Sequence, residues 1–88
     1  PAQIDPEAIR QAALETAGVV GIHHVHVWAM STMENALTAH LVLDNGISPE
    51  GVAKAKRIFR HSLEHLNIQH ATLETELESE DCACRDCG

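Results

Sequence analysis

Two tripeptides fix where this chain can start a helix: Asp5-Pro6-Glu7 and Ser48-Pro49-Glu50. Each opens with a short side chain whose oxygen can accept a hydrogen bond from an unpaired backbone N–H. The proline suits the first helical position, where no N–H is needed, and the glutamate complements the positive end of the helix dipole. Ile9, Ala12, Ala13 and Ala17 give the first helix a narrow apolar stripe that Gly18 ends. Val52, Ala55, Phe59, Ser62, Leu63 and Leu66 give the second a stripe at three- and four-residue steps, and Asn67 ends it.

The other apolar runs are strands. Val19 to Met30 is rich in β-branched residues, Ser31 to Asn35 is a short turn, and Ala36 to Leu43 completes a hairpin that Asp44-Asn45-Gly46 breaks. Ile68 to Leu77 alternates again as a third strand. The order is αββαβ, of class α+β, and one three-stranded sheet with both helices on one face is the natural two-layer arrangement. The 88 residues make a single domain, with a folded core over 5–77 and a frayed acidic tail over 78–88. A domain of this size hides only about 60–65% of the surface its unfolded chain exposes. Trp28 and Phe59 are its only aromatics. Small domains often gain stability from a metal or a partner subunit, and the residues leave both open.

The formal net charge of −7 argues against nucleic-acid binding, which needs a clustered basic face. Lys54, Lys56, Arg57 and Arg60 do cluster, and they read as a solvated helix face. No run approaches the roughly 20 apolar residues of a membrane span, and no signal-peptide pattern opens the chain. A start at Pro1 rather than Met reads as a cut-out domain or a processed product. Three cysteines in the last seven residues do not make a disulfide framework and fit reduced thiols in a cytosolic setting.

Seven histidines in so short a chain point to metal chemistry. Strand side chains alternate, so parity decides which of them meet. With Leu37, Ala39, Leu41 and Leu43 toward the helices, His40 faces away. With Ala71, Leu73 and Leu77 inward, His70, Glu74 and Glu76 face away too. The first strand is ambiguous: His23, Val25 and Val27 share one face, and His24, His26 and Trp28 the other. If Trp28 points inward, His23 joins the outward set. Imidazoles and carboxylates from three strands then suit Zn²⁺, Co²⁺ or, with thiolates added, the softer Cd²⁺. His26 beside Trp28 reads as a buried, hydrogen-bonded imidazole, and His24 shares its parity. His61 and His65, one helical turn apart and off the apolar stripe, read as solvated. Cys82, Cys84 and Cys87 have a chelating spacing. Two readings stand for them: free thiols, or a thiolate site completed by histidine or by a second subunit.

Three segments together resemble the C-terminal cytoplasmic domain of the cation diffusion facilitator family. They are Gly21-Ile22-His23-His24-Val25-His26-Val27-Trp28, Thr38-Ala39-His40, and Ala71-Thr72-Leu73-Glu74-Thr75-Glu76. The likeness is to the cobalt–zinc–cadmium resistance branch, the CzcD-like exporters, and it runs from about Asp5 to Cys87. The resemblance implies a metallochaperone-like (ferredoxin-like) domain that forms a homodimer and binds divalent metal at the subunit interface. It also implies a covalently attached transmembrane transport domain in the full-length protein, at the cytoplasmic face of the membrane. By motif it places metal ligands at His23, His40 and Glu76, with His70 or Glu74 as a further one. Cys84 and Cys87 match a Cys-x-x-Cys that some members carry. Glu74 stands where the family usually has Gln. The transport site lies in membrane helices that are not part of this sequence.

Two rival functions share some of these features. A soluble metallochaperone would have the same element order, but such carriers usually place paired cysteines before the first helix, and none is there. A zinc hydrolase would need a motif such as His-Glu-x-x-His, which is also absent. The sequence therefore reads as a non-enzymatic, metal-sensing dimerisation domain.

Overall fold

A computed structural model describes residues 4–79. Its elements are α1 (Pro6–Leu14), β1 (Val19–Ala29), β2 (Asn35–Leu43), α2 (Pro49–His65) and β3 (His70–Leu77), the αββαβ order expected. Both helix starts are capped as the tripeptides require. Asp5 Oδ1 accepts from Glu7 N at 3.0 Å, and Ser48 Oγ accepts from Gly51 N at 3.0 Å.

The ends depart from the pattern in instructive ways. α1 stops at Leu14, earlier than an apolar stripe reaching Ala17 implies, and Ala17 is exposed. Thr16 is buried in its place, its Oγ1 donating to Ala12 O at 2.9 Å. Gly18 then turns the chain at φ +92°, and a Cβ there would meet Ile47 Cδ1 at 2.7 Å. α2 ends in a Schellman arrangement on Asn67, which has φ +69°. Ile68 N donates to Leu63 O at 2.9 Å, and Asn67 N donates to Glu64 O at 3.1 Å. That turn drops Ile68 into the core and starts β3 at His70, two residues later than alternation alone suggests.

The sheet order is β1-β2-β3, with β2 central, antiparallel to β1 and parallel to β3. Leu37, Ala39, Leu41 and Leu43 of β2 are buried against Ile9 and Ala13 of α1 and Ala55, Phe59 and Leu63 of α2. The core is therefore the odd-numbered face of β2 under two helices. Asn35 pins the open end of β2 to the start of β3: its Nδ2 donates to Asn67 O at 2.8 Å, and its N–H donates to Gln69 Oε1 at 3.0 Å.

β1 does not run as one uninterrupted ladder. His23 pairs with His40, but the next pair is His26 with Thr38. β1 has advanced three residues while β2 has advanced two, so an extra residue is accommodated at His24-Val25. His24 lies in the left-handed region at φ +56°, a conformation that glycine takes in one type of bulge. Because side chains alternate with period two, one extra residue exchanges the two faces beyond it. Before the bulge, even-numbered Ile22 faces the core opposite Leu41; after it, odd-numbered Val27 does so opposite Leu37.

Candidate metal centre

The bulge corrects the reading of β1. Trp28 does not point inward: it pairs with Ala36 on the helix-free face and is 47% exposed. His26 pairs with Thr38 on that same face and is exposed, not buried. His23 still reaches the helix-free face, because it lies before the bulge and opposite His40. An inward Trp28 is thus the wrong premise for the right placement of His23, since a single parity cannot describe a strand with an inserted residue.

Three strands contribute to one cluster. His23 comes from β1, His40 from β2 and Glu76 from β3, and one ligand atom from each lies within 4.8 Å of the other two. Among the described residues this is the group of three that could hold a metal ion. His23 Nε2 is 3.2 Å from Glu76 Oε2, and His40 Nδ1 is 3.3 Å from Glu76 Oε1. Both carboxylate oxygens of Glu76 thus face imidazole nitrogens. The Glu76 side chain is only 14% exposed.

Glu74 sits at the rim. It is the register partner of His40, and its Oε1 lies 3.5 Å from His40 Nε2, but its side chain is 75% exposed. His70 is elsewhere. It pairs with Ala36, about 13 Å along β3 from Glu74 at roughly 3.3 Å per residue, and its Nε2 meets Glu34 Oε1 at 3.2 Å. Parity places His70 on the correct face but cannot give its distance along the strand. Cys82, Cys84 and Cys87 lie outside the described residues. His61 and His65 stand together on exposed α2 surface, Nε2 to Nε2 3.3 Å.

One residue of the site escapes a reading by sequence pattern. The His24 ring packs at 4.8 Å from that of His23 and at 4.7 Å from that of His40, centroid to centroid. Only the doublet His23-His24 hints at it, because regular alternation sends adjacent residues to opposite faces.

The donor set fits a divalent transition metal. Neutral imidazole offers one lone pair, and carboxylate offers anionic oxygen. Zn–N and Zn–O bonds of about 2.0–2.2 Å at tetrahedral angles hold donors about 3.3–3.5 Å apart. The His23–Glu76 and His40–Glu76 separations, 3.2 and 3.3 Å to different oxygens of Glu76, are close to that span.

The sequence profile described as "Cation efflux protein, cytoplasmic domain" matches residues 1–78. The chain belongs to this cation efflux family. Among curated relatives, the cadmium, cobalt and zinc/H(+)-K(+) antiporter of Bacillus subtilis is 33% identical over 79 residues. The match covers 90% of this chain and 25% of the antiporter. The metal cation efflux system protein CzcD of Cupriavidus metallidurans is 29% identical over 77 residues, 88% of this chain and 24% of CzcD. The chain thus spans about a quarter of the length of these curated relatives.

Solved structures agree. The metal-bound C-terminal domain of that CzcD transporter superposes with a TM-score of 0.73 at 29% identity, over 84% of this chain and all of the other. A MamM C-terminal domain superposes with a TM-score of 0.71 at 15% identity, over 82% of this chain and 89% of the other, which supports the fold. The chain shares the ferredoxin-like architecture of both. None of its described helices is long and apolar enough to cross a membrane.

Proposed function

We propose that this chain is the regulatory cytoplasmic domain of a divalent-metal efflux transporter for zinc, cobalt or cadmium. In this reading it binds metal at a dimer interface through His23, His40 and Glu76 and couples occupancy to an attached transmembrane transport domain. The observation that carries it is the convergence of those three donors, one from each strand, within 4.8 Å on the sheet face that neither described helix covers. Glu74, beside His40 at the exposed rim, is the fourth carboxylate-or-imidazole candidate, ahead of the distant His70. In this reading Cys82, Cys84 and Cys87 are further candidate thiolate donors, which zinc calorimetry on a triple Cys→Ser variant tests.

The energetics are of the right size. Two unit charges about 6 Å apart cost roughly 3 kcal/mol at an effective dielectric of about 20. Moving an equilibrium from mostly open to mostly closed takes about 5.5 kcal/mol. Neutralising two such carboxylate contacts between protomers reaches that scale. Glu74, Glu76 and Glu78 concentrate the charge at the end of β3.

Small-angle scattering of the chain with and without saturating Zn²⁺ tests the closure. A smaller radius of gyration with metal is expected, and an unchanged one overturns it. Zinc calorimetry on the wild type beside His23→Ala and His40→Ala tests the site, which is wrong if both variants bind as the wild type does. A soluble metallochaperone would instead stay monomeric and pass its metal quickly to a partner.

A further inference from the structure

We infer that His24 is a further metal donor beside His23, His40 and Glu76. The inference rests on the reading of His23, His40 and Glu76 as metal ligands and names the group that completes them. Three separate observations converge on it.

The first is an unanswered polar atom. His24 Nε2 is buried and has no hydrogen-bond partner among the described residues. Buried polar atoms in native proteins are nearly all paired, and one that is not calls for an ion, a water or a functional role. The second is position. The ring lies against His23 on one side and His40 on the other, at 4.8 and 4.7 Å between centroids. His24 is not in the 4.8 Å donor cluster of His23, His40 and Glu76, so its ring must rotate to bring a nitrogen to the same ion.

The third is backbone conformation. His24 occupies φ +56°, which is unfavourable for a residue with a Cβ. Glycine would hold this bulge without that strain, yet histidine is present. Strain of this kind gathers at functional sites, where another interaction compensates for it. A regular strand would send His24 to the face opposite His23. The bulge therefore allows two consecutive histidines to share one site.

The result is three imidazoles and one carboxylate, a tetrahedral set for Zn²⁺ or Co²⁺.

The test uses the chain loaded with Zn²⁺ alone and two variants. His24→Asn keeps a residue that tolerates the left-handed region but removes the imidazole, and His24→Gly removes the whole side chain. X-ray absorption of the Zn²⁺-loaded wild type should count three imidazoles, and two in either variant. Zinc affinity should fall at least about 10-fold in both, the scale on which weaker outer-shell changes begin to register. Circular dichroism of the metal-free variants should match the wild type. Two imidazoles in the wild type, with affinity unchanged in both variants, overturns the inference and leaves the three-residue site standing. If His23→Ala binds Zn²⁺ as the wild type does, the three-residue site itself fails, and the role of His24 with it.

Discussion

His23 lies directly opposite His40 across the β1–β2 ladder, their rings edge to face at 5.4 Å, and the register slips by one residue immediately beyond them. The pair is thus the last in its stretch of ladder, and β3 brings Glu76 up beside it. Replacing either histidine removes one donor of the His23–His40–Glu76 set. His23→Ala should weaken Zn²⁺ binding by about 100-fold or more, beyond the range typical of outer-shell substitutions. Because both rings are partly exposed, the metal-free protein should change by no more than about 1 kcal/mol. Calorimetry gives the first quantity and urea denaturation without metal the second.

Glu76 and Glu74 should not be equivalent. Glu76 is mostly buried and faces both histidines, whereas Glu74 is mostly exposed and meets only His40. Glu76→Gln should reduce zinc affinity at least about 10-fold, and Glu74→Gln by only about 2- to 3-fold, the scale of a solvent-screened contact. His70→Ala should leave affinity unchanged, since its partner is Glu34. Parallel zinc titrations of the three variants decide the ranking.

The bulge can be tested by deletion. Removing Val25 would close this one of the two register shifts in β1 and force part of the strand to present its wrong face. Either His23 and Gly21 turn inward, or His26 and Trp28 do. Destabilisation of about 3 kcal/mol or more is expected, the scale of a disrupted core. Thermal melting of the deletion variant beside the wild type would show it, and an unchanged midpoint would mean that the bulge is dispensable.

Gly18 should resist substitution for two separate reasons. Its φ of +92° strains any residue with a Cβ, and that Cβ would press on Ile47 at 2.7 Å. Gly18→Ala should cost about 1–3 kcal/mol in urea denaturation. At Gly46 an added methyl would have nothing within 4 Å, so alanine there should have far less effect.

Phe59 is the largest fully buried side chain and links α2 to the sheet. Phe59→Ala should cost about 3–5 kcal/mol, a large share of the roughly 5–15 kcal/mol that small domains possess. Saturating Zn²⁺ should recover part of the lost midpoint, because a ligand that binds only the folded state stabilises it by mass action.

Most of the fold is legible in the chain because its signals are local. Asp5 and Ser48 cap the helices they announce, and the stripe through Ala55, Phe59 and Leu63 is the buried face of α2. The alternation through Leu37 to Leu43 marks the inner face of β2. The apolar stripe overstates the length of α1 because Thr16 competes with the helix through its hydroxyl, which composition does not reveal. The site is legible in part. Parity places His40, His70, Glu74 and Glu76 on one face but gives no distances along the strands.

The αββαβ order, the core and the supply of metal-binding side chains are written in the amino-acid order alone, because caps, period and residue chemistry act over a few neighbouring residues. Which of those side chains meet is a matter of three-dimensional packing. The parallel register of β2 and β3 sets Glu74 and Glu76 beside His40 and leaves His70 four residues away from Glu74, with Glu34. The bulge at His24-Val25 lets His23, His26 and Trp28 share a face despite their mixed parity. Register and bulges arise from how three strands accommodate one another under two helices, and no single strand contains that information.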